Sequence, residues 1–205
     1  MSSITIKDGS IISISQVVNE YLDKTLDLVE NVFAEYHLLK DNNPAEGKVV
    51  RALVEEIRSK KYYVPELDLM ALNEKEEIIG YALFSKFHIE GRYINKNEED
   101  RLLMLTPVAV KTNMQRKGIS KALIEYGFEK ARKMGYTAVL VEGDPKNYNP
   151  RGFVTSSDYG IVPGENIHLP RIECLMIYEL VSGALERMYG VVDYSFYKTL
   201  SEEYS

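Results

Sequence analysis

Three groups of residues in this chain are typed and spaced for chemistry: Gln115-Arg116-Lys117-Gly118-Ile119-Ser120, the tyrosine of Gly143-Asp144-Pro145-Lys146-Asn147-Tyr148, and the carboxylate Glu142 just before it. The first follows two apolar runs, Leu102–Leu105 and Val108–Val110, on either side of Thr106-Pro107, and then polar Lys111-Thr112-Asn113. That order is strand, turn, helix. A turn of this kind aims several backbone N–H groups into one concavity, and the positive end of the following helix adds to the attraction for an anion such as a pyrophosphate. A glycine at 118 leaves room for phosphate oxygens to approach the backbone, Ser120 is small and can donate its hydroxyl, and Arg116 and Lys117 bring positive charge. Neither G-x-G-x-x-G nor G-x-x-x-x-G-K-S/T is present, which argues against a dinucleotide-binding fold and a P-loop nucleotide hydrolase.

Gln115-x-x-Gly118-x-Ser120 after Pro107-Val108-Ala109-Val110 resembles the pyrophosphate loop of the GNAT-type N-acetyltransferases, written Gln/Arg-x-x-Gly-x-Gly/Ala, with serine at the last position. Gly143-Asp144-Pro145 followed by Tyr148-x-x-x-Gly152-Phe153 is similar to a bacterial branch of that superfamily acting on small molecules or proteins. The similarity runs from about Leu67 to Leu180. It implies an α+β fold, a mixed and mostly antiparallel sheet flanked by helices, with a V-shaped splay between the two central strands. It also implies acetyl-CoA as co-substrate. Gln115, Arg116, Lys117, Gly118, Ile119 and Ser120 would hold the pyrophosphate, and Val108, Ala109 and Val110 would present backbone to the pantetheine arm. The N–H near Val108 would polarise the thioester carbonyl, Asn147 and Tyr148 would complete the cofactor site, and Tyr148 would be the general acid.

The chemistry asks for the same parts. Acetyl transfer from a thioester to an amine needs a free-base amine, a polarised carbonyl and a proton for the departing thiolate. A thiol has a reference pKa of about 8.5 and a phenol about 10, so a positioned tyrosine can protonate the sulfur as it leaves. The chain has 15 tyrosines, and only Tyr148 stands in a Tyr-x-x-x-Gly-Phe context. The base is open among Glu142, Asp144, His88 and Glu90, with ordered water as another route; Glu142 is taken with Tyr148 as the catalytic pair. Asp144 also suits a cap before Pro145, and His88 a hairpin. A non-catalytic acetyl-CoA sensor or interaction module of the same fold is the alternative.

Composition sets the limits. At 205 residues, 45% hydrophobic and 27% charged, the chain is globular and reads as one domain over 1–205, with a core of about 15–180 and an extension over 181–205. No run approaches the roughly 20 apolar residues of a membrane span, and Met1-Ser2-Ser3-Ile4 lacks the pattern of a signal peptide, so a cytoplasmic protein without membrane contact is expected. A net charge of −6 without a basic stripe disfavours nucleic acid. One cysteine, Cys174, and three scattered histidines, His37, His88 and His168, give no metal site. The acceptor is read as an amine, a small molecule in preference to a peptide, and a homodimer is left open.

The elements that must position these residues follow from periodicity. Gln16–Tyr36 and Ala45–Ile57 carry apolar residues at three- and four-residue steps and are expected as helices, broken by Asp41-Asn42-Asn43-Pro44. Leu67–Leu72 and Ile78–Phe87 are strands joined by a charged turn, Gly91–Arg101 a polar loop, Ile119–Met134 a helix stopped by Gly135, and Thr137–Glu142 a strand. Pro107 lacks the N–H of a regular ladder and predicts a bulge or splay. Val154–Arg171 reads as a long loop with Asp158, Tyr159, Glu165, Asn166 and His168 as acceptor-side candidates. Ile172–Leu180 is expected as a strand and Gly190–Tyr194 as a last one.

Overall fold

Period-two burial opens the fold. In β2 (Ile11–Gln16) the side chains of Ile12 and Ile14 are buried while Ile11 is exposed, and the strand pairs antiparallel with β1 (Ser2–Thr5) and with β3 (Asp68–Leu72). The first helix therefore does not begin at Gln16, as its periodicity suggests. A 3-10 turn at Asn19–Tyr21 leads into α1 (Leu22–Asp41). Val17 belongs to the end of the strand, its N–H on the Asp68 carbonyl at 2.8 Å. A strand of six residues running straight into a helix lets the two periods overlap, and the longer one dominates a sequence window.

The computed structural model describes residues 2–93 and 101–203. Its contacts divide the chain into two units, Met1–Phe84 with Pro107–Glu129 and Ser85–Thr106 with Lys130–Ser205. Two strands, β4 (Ile78–Lys86) and β6 (Leu102–Val110), and the helix α3 (Ile119–Lys133) contribute residues to both. The architecture is α+β, a mixed and mostly antiparallel sheet flanked by helices, in line with expectation.

In the first unit β1, β2, β3 and β4 lie in that order, and the far end of β6 continues it through the Lys111 N–H on the Ile79 carbonyl at 3.0 Å. Helices α1 and α2 (Glu46–Arg58) pack against each other, with Arg51 of α2 reaching Asp27 at 2.7 Å and Glu30 at 3.2 Å on α1. Beneath them Arg58 ends α2 over a fully buried carboxylate: its Nε donates to Asp68 Oδ2 at 2.8 Å, and one Nη donates to Asp68 Oδ1 at 3.2 Å and Thr25 Oγ1 at 2.9 Å. Tyr63 donates to the same carboxylate at 2.8 Å. Asp68 is thus paired at both oxygens, as a buried charge must be. Lysine cannot reproduce the two-point contact. Arg58→Lys should lower unfolding free energy by about 2 kcal/mol, the order of a charge-assisted hydrogen bond, in a denaturant titration. A midpoint equal to wild type would show that the fork contributes nothing.

In the second unit the near end of β6 pairs parallel with β7 (Ala138–Glu142) at Leu102↔Ala138, Leu103↔Val139 and Met104↔Leu140. The pairing ends there, before Pro107, with Leu105 and Thr106 on one strand and Val141 and Glu142 on the other beyond it. Antiparallel β10 (Leu175–Glu179) and then β8 (Val154–Thr155) follow β7. A second sheet holds β11 (Met188–Val192) between antiparallel β5 (Glu90–Tyr93) and parallel β9 (Ile161–Pro163).

Three expectations are corrected here. Val154–Arg171 is not a structureless loop, since it contains β8, a 3-10 turn at Ser156–Tyr159 and β9; strands of two or three residues are too short to show a period. Gly91–Tyr93 is strand, paired with β11, and the remainder of that expected loop, 94–100, lies outside the described residues. Cys174 ends a 3-10 turn, Ile172–Cys174, and the strand begins at Leu175, although the cysteine is buried as expected.

Candidate active site

The loop residues are in the first unit. After β6 a 3-10 turn at Thr112–Met114 brings the chain to Gln115, whose backbone is extended and whose side-chain amide donates to the Val110 carbonyl at 3.2 Å. Arg116 then takes a left-handed conformation at φ 64° and Gly118 another at φ 95°. Two reversals within three residues turn the chain tightly into α3. Glycine is at ease at 118, whereas any residue with a Cβ is strained there. The space at Gly118 is open, the nearest atom to an added Cβ being Lys7 Cγ at 3.7 Å. Ile119 is buried and anchors the first turn of α3, while Ser120 is half-buried, and the Ala122 N–H returns to the Gly118 carbonyl at 3.0 Å. The opening N–H groups of a helix have no intrahelical acceptor, so this turn is suited to an anion.

The amino-terminal hairpin braces the loop from the side. Lys7 donates its N–H to the Lys117 carbonyl at 3.1 Å, and Lys117 Nζ pairs with Asp8 Oδ2 at 2.9 Å. The Lys117 ammonium, with the Ser10 N–H, holds the Asp8 carboxyl down to about 2. Sequence reasoning gave the hairpin no part in the loop, because pairing across more than 100 residues leaves no local signal. Along β6, Val108 is half-buried and Ala109 and Val110 are buried.

Tyr148 and its neighbours are in the second unit. Asp144 caps a single helical turn, α4 (Pro145–Tyr148), accepting the Lys146 N–H at 3.0 Å, and faces Arg171 at 3.7 Å. Its place as a cap is the one its position before Pro145 suggests. The Tyr148 ring lies edge-on to Phe153, with centroids 5.4 Å apart, and covers Gly143, where a Cβ would collide with it. Burial pushes the phenol up to about 12, against a small opposing effect of Arg151, so the group keeps its proton at neutral pH. Asn147 is exposed on the same turn.

Glu142 ends β7 opposite Leu175. Crowding around its carboxyl raises its pKa above the ordinary carboxylate range, and a hydrogen bond from the Tyr194 hydroxyl, 2.8 Å from Oε2, works the other way. Tyr194 was missed in the sequence, and nothing near it signals a site. His88 and Glu90, the other base candidates, are exposed between β4 and β5 and at the start of β5. Of the acceptor-side candidates, Asp158 and Tyr159 fall in the turn before β9, and Glu165, Asn166 and His168 follow that strand. Among the described residues no group of three or more His, Cys, Asp or Glu is placed to hold a metal ion, and no helix is long and apolar enough to cross a membrane.

Comparison with known proteins identifies the family. The model of the acetyltransferase (GNAT) family matches residues 31–155. The chain is 26% identical over 129 residues to an uncharacterized N-acetyltransferase, YhbS, of Escherichia coli, covering 62% of this chain and 71% of that one. The crystal structure of Escherichia coli YhbS in complex with CoA shares the fold, with a TM-score of 0.74 at 20% identity over 93% of this chain and 92% of the other. A GNAT-family acetyltransferase from Brucella melitensis, solved with acetyl-CoA, gives a TM-score of 0.52 at 25% identity over 69% and 82%.

Proposed function

Since the chain belongs to the acetyltransferase (GNAT) family and is an N-acetyltransferase, we propose that it moves an acetyl group from acetyl-CoA to a primary amine by direct attack in a ternary complex. The observation that carries this reading is the loop Gln115–Ser120, with left-handed Arg116 and Gly118 opening α3. The solved relatives with CoA and acetyl-CoA support the choice of donor. Residues 1–205 are read as one acetyltransferase domain, working in the cytoplasm on a small amine.

In this reading Gln115, Arg116, Lys117, Gly118, Ile119 and Ser120 hold the pyrophosphate through backbone N–H groups, the Ser120 hydroxyl and local positive charge. Val108, Ala109 and Val110 offer backbone to the pantetheine arm, the N–H at Val108 polarises the thioester carbonyl, and Asn147 borders the cofactor beside Tyr148. The acceptor arrives as an ammonium and gives one proton to Glu142. Its lone pair forms the C–N bond to the carbonyl carbon, the C–S bond breaks with its electrons on sulfur, and the thiolate takes the Tyr148 proton. The second proton lost by nitrogen returns to the tyrosinate through solvent. No metal enters the scheme.

Titration of acetyl-CoA in a calorimeter, followed by a thiol-release assay against a panel of amines, tests the reading. Micromolar binding and acceptor-dependent CoA release are expected. Binding with no release for any amine would favour a sensor or interaction module, and absence of binding by folded protein would overturn both.

A further inference from the structure

We propose that Tyr194, from the segment after the family's core, is a positioning residue that orients Glu142 and sets its proton affinity for receiving the acceptor's proton. The inference rests on the acetyltransfer reading above and adds a component to it.

The contact sits beside aromatic neighbours and a capped turn. Tyr194 opens a 3-10 turn, Tyr194–Phe196, whose N-cap Asp193 accepts the Ser195 N–H at 2.8 Å directly after β11. Its ring meets Phe87 edge-on with centroids 6.4 Å apart, and Tyr197 at 6.4 Å. Tyr197 is buried, stacks on Phe87 at 5.9 Å and shares a hydrogen bond with buried Ser85 at 3.4 Å. Two aromatic contacts and a capped turn therefore limit where the Tyr194 hydroxyl can go, and it stands 2.8 Å from Glu142 Oε2.

A carboxylate held at one oxygen presents the other in a set direction, which a proton acceptor for an incoming ammonium requires. The donated hydrogen bond also favours the charged form. Tyr194 donates to this carboxyl, apolar Leu175 is the register partner of Glu142 across on β10, and Asp144, two residues on in sequence, has its own partners in the Lys146 N–H and Arg171. Glu142 is exposed along its length, but partial desolvation of its carboxyl raises its proton affinity above that of a fully hydrated glutamate, and the Tyr194 hydroxyl lowers it again. The hydroxyl is thus a tuning device whose removal has a definite sign. Without it the charged form loses support, the carboxyl titrates at higher pH, and the acidic limb of the rate profile moves the same way.

The test needs two measurements. Carbon-13 NMR of the Glu142 side-chain carboxyl, assigned by its loss in Glu142→Gln, is followed against pH in wild type, in Tyr194→Phe, and in protein with 3-fluorotyrosine at 194. The fluorophenol is the stronger donor. The midpoint should move to higher pH in Tyr194→Phe and to lower pH with fluorotyrosine; midpoints that coincide in all three would overturn the proposal whether or not an acceptor has been found. In the second, the acidic limb of the kcat/KM profile should lie at higher pH in Tyr194→Phe, so that a loss of about threefold to tenfold, the worth of one hydrogen bond, shows on that limb and fades on the plateau, with acetyl-CoA affinity unchanged. In a Glu142→Gln background the same change should have no further effect. A loss that persists at every pH, or one equally large without Glu142, would mark Tyr194 as a packing residue and sink the inference. Failure of wild type to release CoA would instead count against the acetyltransfer reading, with the NMR midpoints still ruling on the hydrogen bond's influence.

Discussion

Tyr148→Phe is expected to lower kcat for acceptor-dependent CoA release by about 10²–10⁴-fold, the usual worth of a positioned general acid, with a far smaller change in acetyl-CoA affinity, since the ring that borders the cofactor is kept. The substitution removes one oxygen and leaves the ring that packs on Phe153 and covers Gly143, so the fold of the turn should survive. Burial moves the phenol up to about 12, and the acid form therefore persists through the neutral and mildly alkaline range. The sign follows from desolvation: burial disfavours the anion, so the proton is retained until a leaving thiolate within reach accepts it. Steady-state kinetics beside calorimetry separate the two effects. A Phe variant with wild-type kcat would remove Tyr148 from the chemistry.

Gly118→Glu should weaken acetyl-CoA binding by about a hundredfold to a thousandfold. Two causes add. A Cβ at φ 95° is strained by about 1–2 kcal/mol, which favours a relaxed loop over the tight reversal into α3. A carboxylate beside a pyrophosphate then adds a like-charge repulsion of about 1–4 kcal/mol at a surface dielectric. Gly118→Ala isolates the first, because the position is open apart from Lys7 Cγ at 3.7 Å and a methyl group meets no obstacle. Alanine should therefore cost about tenfold or less. If folded Gly118→Glu bound acetyl-CoA as wild type does, the pyrophosphate would have to be placed elsewhere on the chain.

Much of this was legible in the residues. The spacing Gln115-x-x-Gly118-x-Ser120 after an apolar strand is local, and local spacing fixes backbone conformation: the structure does turn into α3 at Gly118 through a left-handed glycine. Strands β3, β4 and β7, buried at nearly every position, stand within a residue or two of their apolar runs, and helices α2 and α3 within a residue or two of their periodicity. The β6–β7 ladder ends at Met104, three residues before Pro107. Short elements escaped. The period of β2 is masked because the strand runs straight into the helical period of α1, and the two- and three-residue strands β8 and β9 carry too few side chains for a period and depend on partners farther along the chain.

Glu142 shows the limit most clearly. Its place at the end of an apolar run told where β7 stops and that a carboxylate would stand there, because alternation and strand length are properties of neighbouring residues. Its partner was out of reach of any such argument. Tyr194 lies 52 positions away among 15 tyrosines, and it reaches Glu142 only because β11 pairs with β5 and β9 and because Phe87 and Tyr197 fix its ring. The same holds for Asp8 on Lys117, brought together by a hairpin at the other end of the chain. Chain-local chemistry thus specified the turn at Gln115–Ser120 and the turn that carries Tyr148. Packing among distant strands, a sum of many weak contacts with no pattern along the chain, selected which side chains hold the charged groups and so tune their protons.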